Sequence, residues 1–198
     1  MKKSLSLCFL IFSAQQVFTQ TVILEIKGNK LSDFIKIEEN LGSERIKNKN
    51  FHAVESGIAQ PIEYRRKETG IPDLLVYYFY REKDSSISYI QYEWLDRNFR
   101  GENEIVKKTR SEAELLNGRY DQLYKKLTAI YGKSDSEEQK SAIERIDTEI
   151  FKRKSIWKKE GNYGVELYTV ISNIYKKEGM ITIRPTFTLR MYIYDFTD

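Results

Sequence analysis

The chain has 198 residues, of which 33 are Lys or Arg and 29 are Asp or Glu, with a single His and a single Cys. An aromatic content of 13% argues against disorder, and the near balance of charges, spread in short clusters, argues against nucleic-acid binding. One His and one Cys exclude an HExxH motif, a zinc site of several Cys and His ligands, and an internal disulfide.

The N-terminus has the arrangement of a secretory signal peptide. Two lysines precede an uncharged, mostly apolar run over residues 4–14, which is too short to span a bilayer. Val17 and Thr19 occupy the two positions that a cleavage site requires, so we predict cleavage before Gln20. The predicted signal peptide is therefore residues 1–19.

Cys8 offers a second interpretation of this segment, the attachment site of a lipid anchor. Such a site needs a small residue immediately before the cysteine, and Leu7 stands there instead, so we predict no lipid anchor. A buried N-terminal strand is a third interpretation. With export, residues 20–198 form a single globular domain, periplasmic or secreted, with 31 basic residues, 29 acidic residues and no cysteine.

The first predicted elements are a strand over residues 21–27 and a short helix over residues 31–42. Ser32 is the predicted N-cap of this helix, and Gly42 is the residue at which it ends. Residues 43–70 carry mixed signals and are predicted to be irregular, apart from a strand at the sequence PIEYRR.

Residues 74–81 and 87–95 are rich in aromatic and β-branched side chains and are separated by the polar sequence EKDSS. This pattern predicts a β-hairpin. Trp94 and Trp157 are predicted core residues, Trp94 because it shares one face of its strand with other large side chains.

The main helix is predicted over residues 112–131. Ser111 with Glu114 fits a capping box, and Gly132 fits the left-handed position at the C-terminal end. Gly118 in the middle weakens the helix and indicates close packing at that point. The apolar stripe that defines the helix consists of Leu116, Tyr120, Leu123, Leu127 and Ile130.

The C-terminal third is predicted to contain an exposed helix followed by three antiparallel strands. Isoleucines at helical spacing indicate the helix at residues 135–150. The strands are predicted at residues 154–161, 165–172 and 180–196. Pro185 cannot donate a hydrogen bond to a neighbouring strand, so the last strand is expected at an edge or with a bulge.

Residues 180–196 alternate between apolar and polar side chains, which is typical of a sheet with one buried and one wet face. The order of hairpin, helix and strands contains no βαβ repeat. We therefore predict an α+β fold, in which an antiparallel sheet of about five to six strands is packed on one face by the helix at 112–131, with minor helices.

The wet face of this sheet is the predicted binding surface. Tyr provides contact area at low entropic cost, and Arg provides directed hydrogen bonds. The alternative is that these side chains form cross-strand pairs that only stabilise the sheet. The predicted binding residues are Tyr89, Glu93, Tyr168, Arg184, Arg190 and Tyr192, with Gln91, Glu166 and Tyr194 on the same face.

Known catalytic and ligand-binding motifs are not matched. The sequence GKS at residues 132–134 ends a helix and lacks the first glycine of a phosphate-binding loop. Residues 96–104 partly resemble a calcium loop, but Arg100 and Lys107 stand where oxygen ligands are required. His52 lies in a polar stretch without partner motifs and is predicted to be a surface residue. We predict no metal and no cofactor.

The predicted function is that of an exported, non-enzymatic binding module whose partner is an envelope protein, a peptide or a glycan. The alternative is a small exported hydrolase that uses paired carboxylates, for which Glu93, Asp96 and Glu166 lie on or near predicted strands. Neither nucleic-acid binding nor a membrane span is predicted for the mature chain.

Overall fold

The computed structural model of the chain describes residues 22–26, 29–47, 51–95, 106–159 and 162–195. The predicted signal peptide, its cleavage site and Cys8 lie outside the described residues, as do Asp96 and the sequence that resembles a calcium loop. Within the described residues, no helix is long and apolar enough to cross a membrane.

The described residues form two α-helices, one short 3-10 helix and ten strands. The α-helices are α1 (Leu31–Asn40) and α2 (Arg110–Tyr131), and the 3-10 helix is Ile143–Arg145. The strands are β1 (Glu44–Ile46), β2 (Ile62–Arg66), β3 (Leu74–Tyr80), β4 (Ile87–Leu95), β5 (Ser136–Lys140), β6 (Phe151–Lys159), β7 (Asn162–Ser172), β8 (Lys176–Glu178), β9 (Ile181–Ile183) and β10 (Thr186–Tyr194).

Eight of the strands form one antiparallel sheet in the order β1-β2-β3-β4-β10-β7-β6-β5, and β8 pairs with β9 in a separate two-stranded sheet. The predicted α+β fold with an antiparallel sheet is confirmed, although the strands are more numerous than predicted. The additional strands β1, β5 and β8 are short and polar, and all but one of their residues are exposed. Their sequences show no apolar alternation because, of their residues, only Ile46 packs against an apolar cluster.

Helix α2 covers one face of the sheet, which we call the inner face. Its buried residues are Ala113 and the predicted stripe without Ile130, whose side chain is 44% exposed at the end of the helix. Trp94 and Trp157 are buried beneath α2, and the indole of Trp157 donates to the carbonyl of Gly132 at 3.0 Å. The inner face is therefore the apolar core of the protein.

Helix α1 begins at its predicted residue, Leu31, and helix α2 begins two residues before its predicted start, but both predicted caps are wrong. Thr109 caps α2 by accepting a hydrogen bond from the N–H of Glu112, so the predicted box of Ser111 and Glu114 is wrong by two residues. Helix α1 begins at Leu31, where the carboxylate of Asp33 accepts from the N–H of Lys30 at 3.2 Å. The predicted cap Ser32 is already helical. The box is misplaced because several polar residues near each start satisfy the same local pattern.

The C-terminal ends of both helices were predicted correctly as glycine stops. Gly42 and Gly132 have φ angles of 66° and 82°, a region that side chains with a Cβ rarely adopt. Gly118 differs, because a Cβ built on it meets no atom within 4 Å. The prediction of close packing at Gly118 is therefore wrong.

We expect Gly118→Ala to raise the free energy of unfolding by about 0.5–1 kcal/mol, because Ala loses less backbone entropy in a helix and finds open space here. Urea unfolding measures the change. Gly132→Ala is the matched control and is expected to lower stability, since its φ of 82° strains any other residue. A loss of stability in Gly118→Ala would show that the site is more crowded than described.

Residues 22–26 form no strand, contrary to the prediction. Their backbone is held by side chains instead: the hydroxyl of Tyr92 exchanges two hydrogen bonds of 3.1 Å with the backbone of Ile23, and Tyr131 donates to the carbonyl of Leu24 at 2.6 Å. The apolar side chains of this segment pack against the core. Its apolar sequence therefore reflects burial without strand pairing.

Two predictions for the C-terminal third are also wrong. Residues 135–150 are not a helix but form β5 and the 3-10 helix, with Ile146 buried against the core. The last strand was predicted over residues 180–196, at an edge or with a bulge, but it is interrupted at Pro185, and β10 lies in the centre of the sheet between β4 and β7. Pro185 precedes β10, so the proline needs no ladder hydrogen bond within it.

Candidate functional site

The outer face of the sheet, opposite α2, carries five of the six predicted binding residues. Strand register aligns Glu93 of β4, Arg190 of β10 and Tyr168 of β7 in one row across the sheet. The adjacent rows contain Gln91, Tyr192 and Glu166, and then Tyr89 opposite Tyr194. Alternation within each strand brings these side chains to one face, as the sequence predicts.

Arg184 is not part of this face. The chain leaves the eight-stranded sheet after Ser172, forms β8 and β9, and rejoins the sheet at Thr186. Arg184 lies between β9 and β10 and is exposed. The predicted alternation therefore holds only from Thr186 onward, because the residues before it belong to another sheet.

One half of the outer face is covered by residues 51–60, which we call the strap. Val54 and Ile58 of the strap pack over the apolar side chains of β3. The N–H of Ala59 donates to the carbonyl of Tyr80 at 2.9 Å and fixes the strap to the sheet. This explains why β3 is apolar along its whole length, since both of its faces are buried.

His52 lies in the strap and is partly buried, with 28% of its side chain exposed, whereas a surface position was predicted. Its Nε2 is 3.0 Å from a carboxylate oxygen of the buried Glu63. Its ring contacts Tyr77 and Phe79 edge-on, with centroids 5.4 and 5.9 Å away. The contacts that bury His52 come from β2 and β3, so its own polar neighbours in the sequence did not indicate them.

The open half of the outer face, over β4, β10 and β7, contains a buried ion pair. The guanidinium of Arg190 binds the carboxylate of Glu93, whose side chain is 5% exposed, and donates to the hydroxyl of Tyr168 at 2.9 Å. Tyr77 donates to the same carboxylate at 3.3 Å. Burial opposes the charge of Arg190, but the Glu93 carboxylate together with Tyr168 and Tyr192 outweighs burial and raises the pKa of Arg190 above its ordinary value. Arg190 is therefore a fixed cation.

Beside this ion pair runs a continuous series of rings, which we call the aromatic row. Successive centroids are 6.3, 6.2, 5.8 and 4.1 Å apart, and the planes of neighbouring rings differ by 34° or less. The row crosses four strands and consists of Tyr168, Tyr192, Tyr194, Tyr89 and Phe79. Phe79 is buried under the strap, and the four tyrosines are partly exposed.

Two tyrosines of the row, Tyr89 and Tyr192, remain neutral at physiological pH. Burial raises the pKa of Tyr89 to about 12, with the neighbouring Tyr194 as the next cause. Burial and the nearby Tyr168 raise the pKa of Tyr192 above its ordinary value as well. The row therefore offers hydrogen-bonding hydroxyls and apolar ring surface to a partner, without charge.

The carboxylates of the hydrolase alternative are held by cations. Glu93 pairs with Arg190, and Glu166 pairs with Lys154 at 2.9 Å. Strand β10 lies between the strands that carry the two glutamates. Within the described residues, no group of three or more His, Cys, Asp or Glu side chains is placed to hold a metal ion.

Phe79 and Tyr77 join this face although the sequence did not indicate them as site residues. Both lie in the all-apolar strand β3, in which alternation gives no signal of which side chains face outward. The register of the hairpin with β4 decides this, because it pairs Phe79 with Tyr89. A hairpin register assigned from the length of the loop EKDSS would have placed Tyr77 and Phe79 on the outer face.

The aromatic row and the buried ion pair are the features of the described residues from which a function can be argued. The chain matches no protein-family model, no curated protein and no solved structure.

Proposed function

We propose that the chain is an exported, non-catalytic binding module that recognises a protein partner through the open half of its outer sheet face. The observation that carries the proposal is the aromatic row, with four partly exposed tyrosines beside the fixed cation Arg190. Tyr and Arg are enriched among the residues that contribute most binding energy at protein interfaces.

The face is pre-organised for binding. The row stands on paired strands, and the hydroxyl of Tyr168 is held by Arg190 at 2.9 Å. A side chain that is already ordered loses little conformational entropy when a partner binds. Tyr adds to this advantage because it presents a large surface with few rotatable bonds.

The charges of the face favour a protein partner over a polyanion. Arg190 is neutralised by Glu93, and Lys154 by Glu166 at 2.9 Å, so the cations around the row are paired with carboxylates. Binding of nucleic acid depends on cations that contact phosphates. A surface of neutral rings, hydroxyls and paired charges instead has the composition of a protein interface.

The test uses a phage-displayed random-peptide library and a glycan array as probes of the purified chain. Peptides selected by the wild-type protein are expected to lose at least about tenfold in affinity for the variant Tyr192→Ala/Tyr194→Ala. Tyr175→Ala is the matched control, because Tyr175 is 45% exposed in the loop after β7, outside the eight-stranded sheet. Thermal unfolding of each variant confirms that its fold is intact.

Two results would overturn this proposal. Selected peptides that bind the double variant as tightly as the wild type would show that the aromatic row is not the binding surface. Glycans that bind through the row, with no peptide selected, would replace the protein partner with a carbohydrate.

A further inference from the structure

The segment between β7 and β10 forms a small arm, residues 176–183, that is separate from the proposed binding face. Strands β8 and β9 pair only with each other, with Lys176 opposite Ile183 and Glu178 opposite Ile181. Gly179, with a φ of 57°, makes the turn that joins them. The arm therefore lies outside the eight-stranded sheet.

Three large apolar side chains of the arm are exposed, two of them at its turn. Met180, in the turn, is fully exposed, and the side chains of Ile181 and Ile183 are 70% and 42% exposed. Ile181 and Ile183 lie on the same face of β9 because residues two apart point to one side of a strand. Three large apolar side chains are thus gathered on eight residues, although nothing within the described chain packs over them.

The base of the arm is basic. Lys176 and Lys177 lie there, whereas the one acidic residue of the arm, Glu178, lies next to the turn opposite Ile181, so residues 176–183 have a surplus of one positive charge. Glu178 pairs with Lys176 at 2.6 Å. Lys177 lies on the opposite face of the arm, where it pairs in register with Thr182. The arm therefore has exposed apolar side chains at its turn and a cationic base.

We propose that the arm inserts Met180 and Ile181 into the surface of an anionic phospholipid bilayer. A three-residue strand is about 10 Å long, which matches the depth to which interfacial segments enter the headgroup region. Insertion to that depth removes the apolar side chains from water and brings the cations of the base to the lipid headgroups, where anionic lipids attract Lys and Arg.

The shape of the arm favours a bilayer over a second protein. Its apolar residues lie at a hairpin turn and along one side of a narrow two-stranded ribbon. Stable protein interfaces need a far larger contiguous surface. A narrow hairpin can insert between lipid headgroups, and the negative charge of anionic headgroups complements the lysines at the base of the arm.

Vesicle co-sedimentation of the full chain tests this proposal. We expect the wild type to partition onto vesicles of phosphatidylcholine with phosphatidylglycerol at least about tenfold more strongly than Met180→Asp/Ile181→Asp does. Vesicles of phosphatidylcholine alone are expected to bind the wild type more weakly, and Lys176→Gln/Lys177→Gln should reduce that preference for anionic lipid. These residues are exposed, so their substitution leaves the core intact.

The control variant is Leu115→Asp, which replaces an apolar side chain by Asp at a 52% exposed position on α2, adds one negative charge where the arm variant adds two, and is expected to bind like the wild type. The apolar N-terminal run is common to all variants, so differences between them report the arm. A dye sensitive to polarity, attached to Met180→Cys in a Cys8→Ser background, should shift to the blue with anionic vesicles. The same dye on Leu115→Cys should not shift.

Equal partitioning of the wild type and Met180→Asp/Ile181→Asp would overturn the proposal. So would a dimer in sedimentation velocity that this variant dissociates, because the arm would then join two copies of the chain. Tyr192→Ala/Tyr194→Ala is expected to bind vesicles like the wild type. The proposal for the arm and the proposal for the aromatic row are therefore tested independently.

Discussion

Glu38→Gln is expected to lower the free energy of unfolding by about 3–5 kcal/mol, the cost of breaking a buried ion pair from one side. Glu38 on α1 is fully buried. Its carboxylate accepts from Nε of Arg66 at 2.9 Å, from a second Arg66 nitrogen and from the hydroxyl of Tyr78. The side chain of Arg66 is only 4% exposed, so the substitution leaves a guanidinium in the core without its counter-charge.

Urea unfolding of the wild type, Glu38→Gln and Glu39→Gln measures this effect. Glu39 is the adjacent residue of α1 and is exposed, so the same substitution there is expected to change stability by less than about 0.5 kcal/mol. The double variant Glu38→Leu/Arg66→Met removes both charges and should recover much of the loss. A cost below about 1 kcal/mol for Glu38→Gln would show that water reaches the pair.

Arg190→Met is expected to lower the free energy of unfolding by about 2–4 kcal/mol, because it leaves the Glu93 carboxylate buried without its cation. The side chain of Glu93 is 5% exposed, and Tyr77 at 3.3 Å provides only a neutral hydrogen bond. The variant also releases the hydroxyl of Tyr168. Charge reversal at Arg190 would therefore disturb the fold as well as the face, and substitutions of Tyr192 and Tyr194 test binding more cleanly.

A double-mutant cycle with Glu93→Gln separates the pair from its surroundings, since a direct interaction makes the two losses non-additive. Lys154→Met is the matched control on the same face. Lys154 pairs with Glu166 at 2.9 Å, but their side chains are 40% and 20% exposed, so the expected cost is below about 1 kcal/mol. Equal losses for Arg190→Met and Lys154→Met would contradict the buried character of the Glu93 pair.

Elements with a strong apolar period were predictable from the sequence. Helix α2 was predicted to within two residues at its start because its stripe repeats every three to four residues. Strand β10 was predicted because Phe187, Leu189, Met191 and Ile193 face the core while Thr186, Arg190 and Tyr192 remain partly exposed. The same alternation brought Arg190 and Tyr192 to the outer face.

Segments without such a period were predicted poorly. Strand β5 has five exposed residues and is held by backbone pairing with β6. Its sequence, SEEQK, does not indicate this pairing. Residues 22–26 are apolar but gain their hydrogen bonds from Tyr92 and Tyr131, which are far along the chain. In both cases the partner determines the local structure.

The sequence by itself determined which side chains avoid water, and thereby the class of fold, helix α2, the hairpin of β3 and β4, and the two-sided character of β10. These are local properties, because a period of two or of 3.6 residues assigns each side chain to a face. Beyond this hairpin, the tertiary structure alone decided which strands are neighbours. Backbone hydrogen bonds between strands depend little on the side chains, so the register is selected by the total apolar surface that it buries. This register brings Arg190 next to Glu93, which is 97 residues away in the sequence, and leaves the arm outside the eight-stranded sheet.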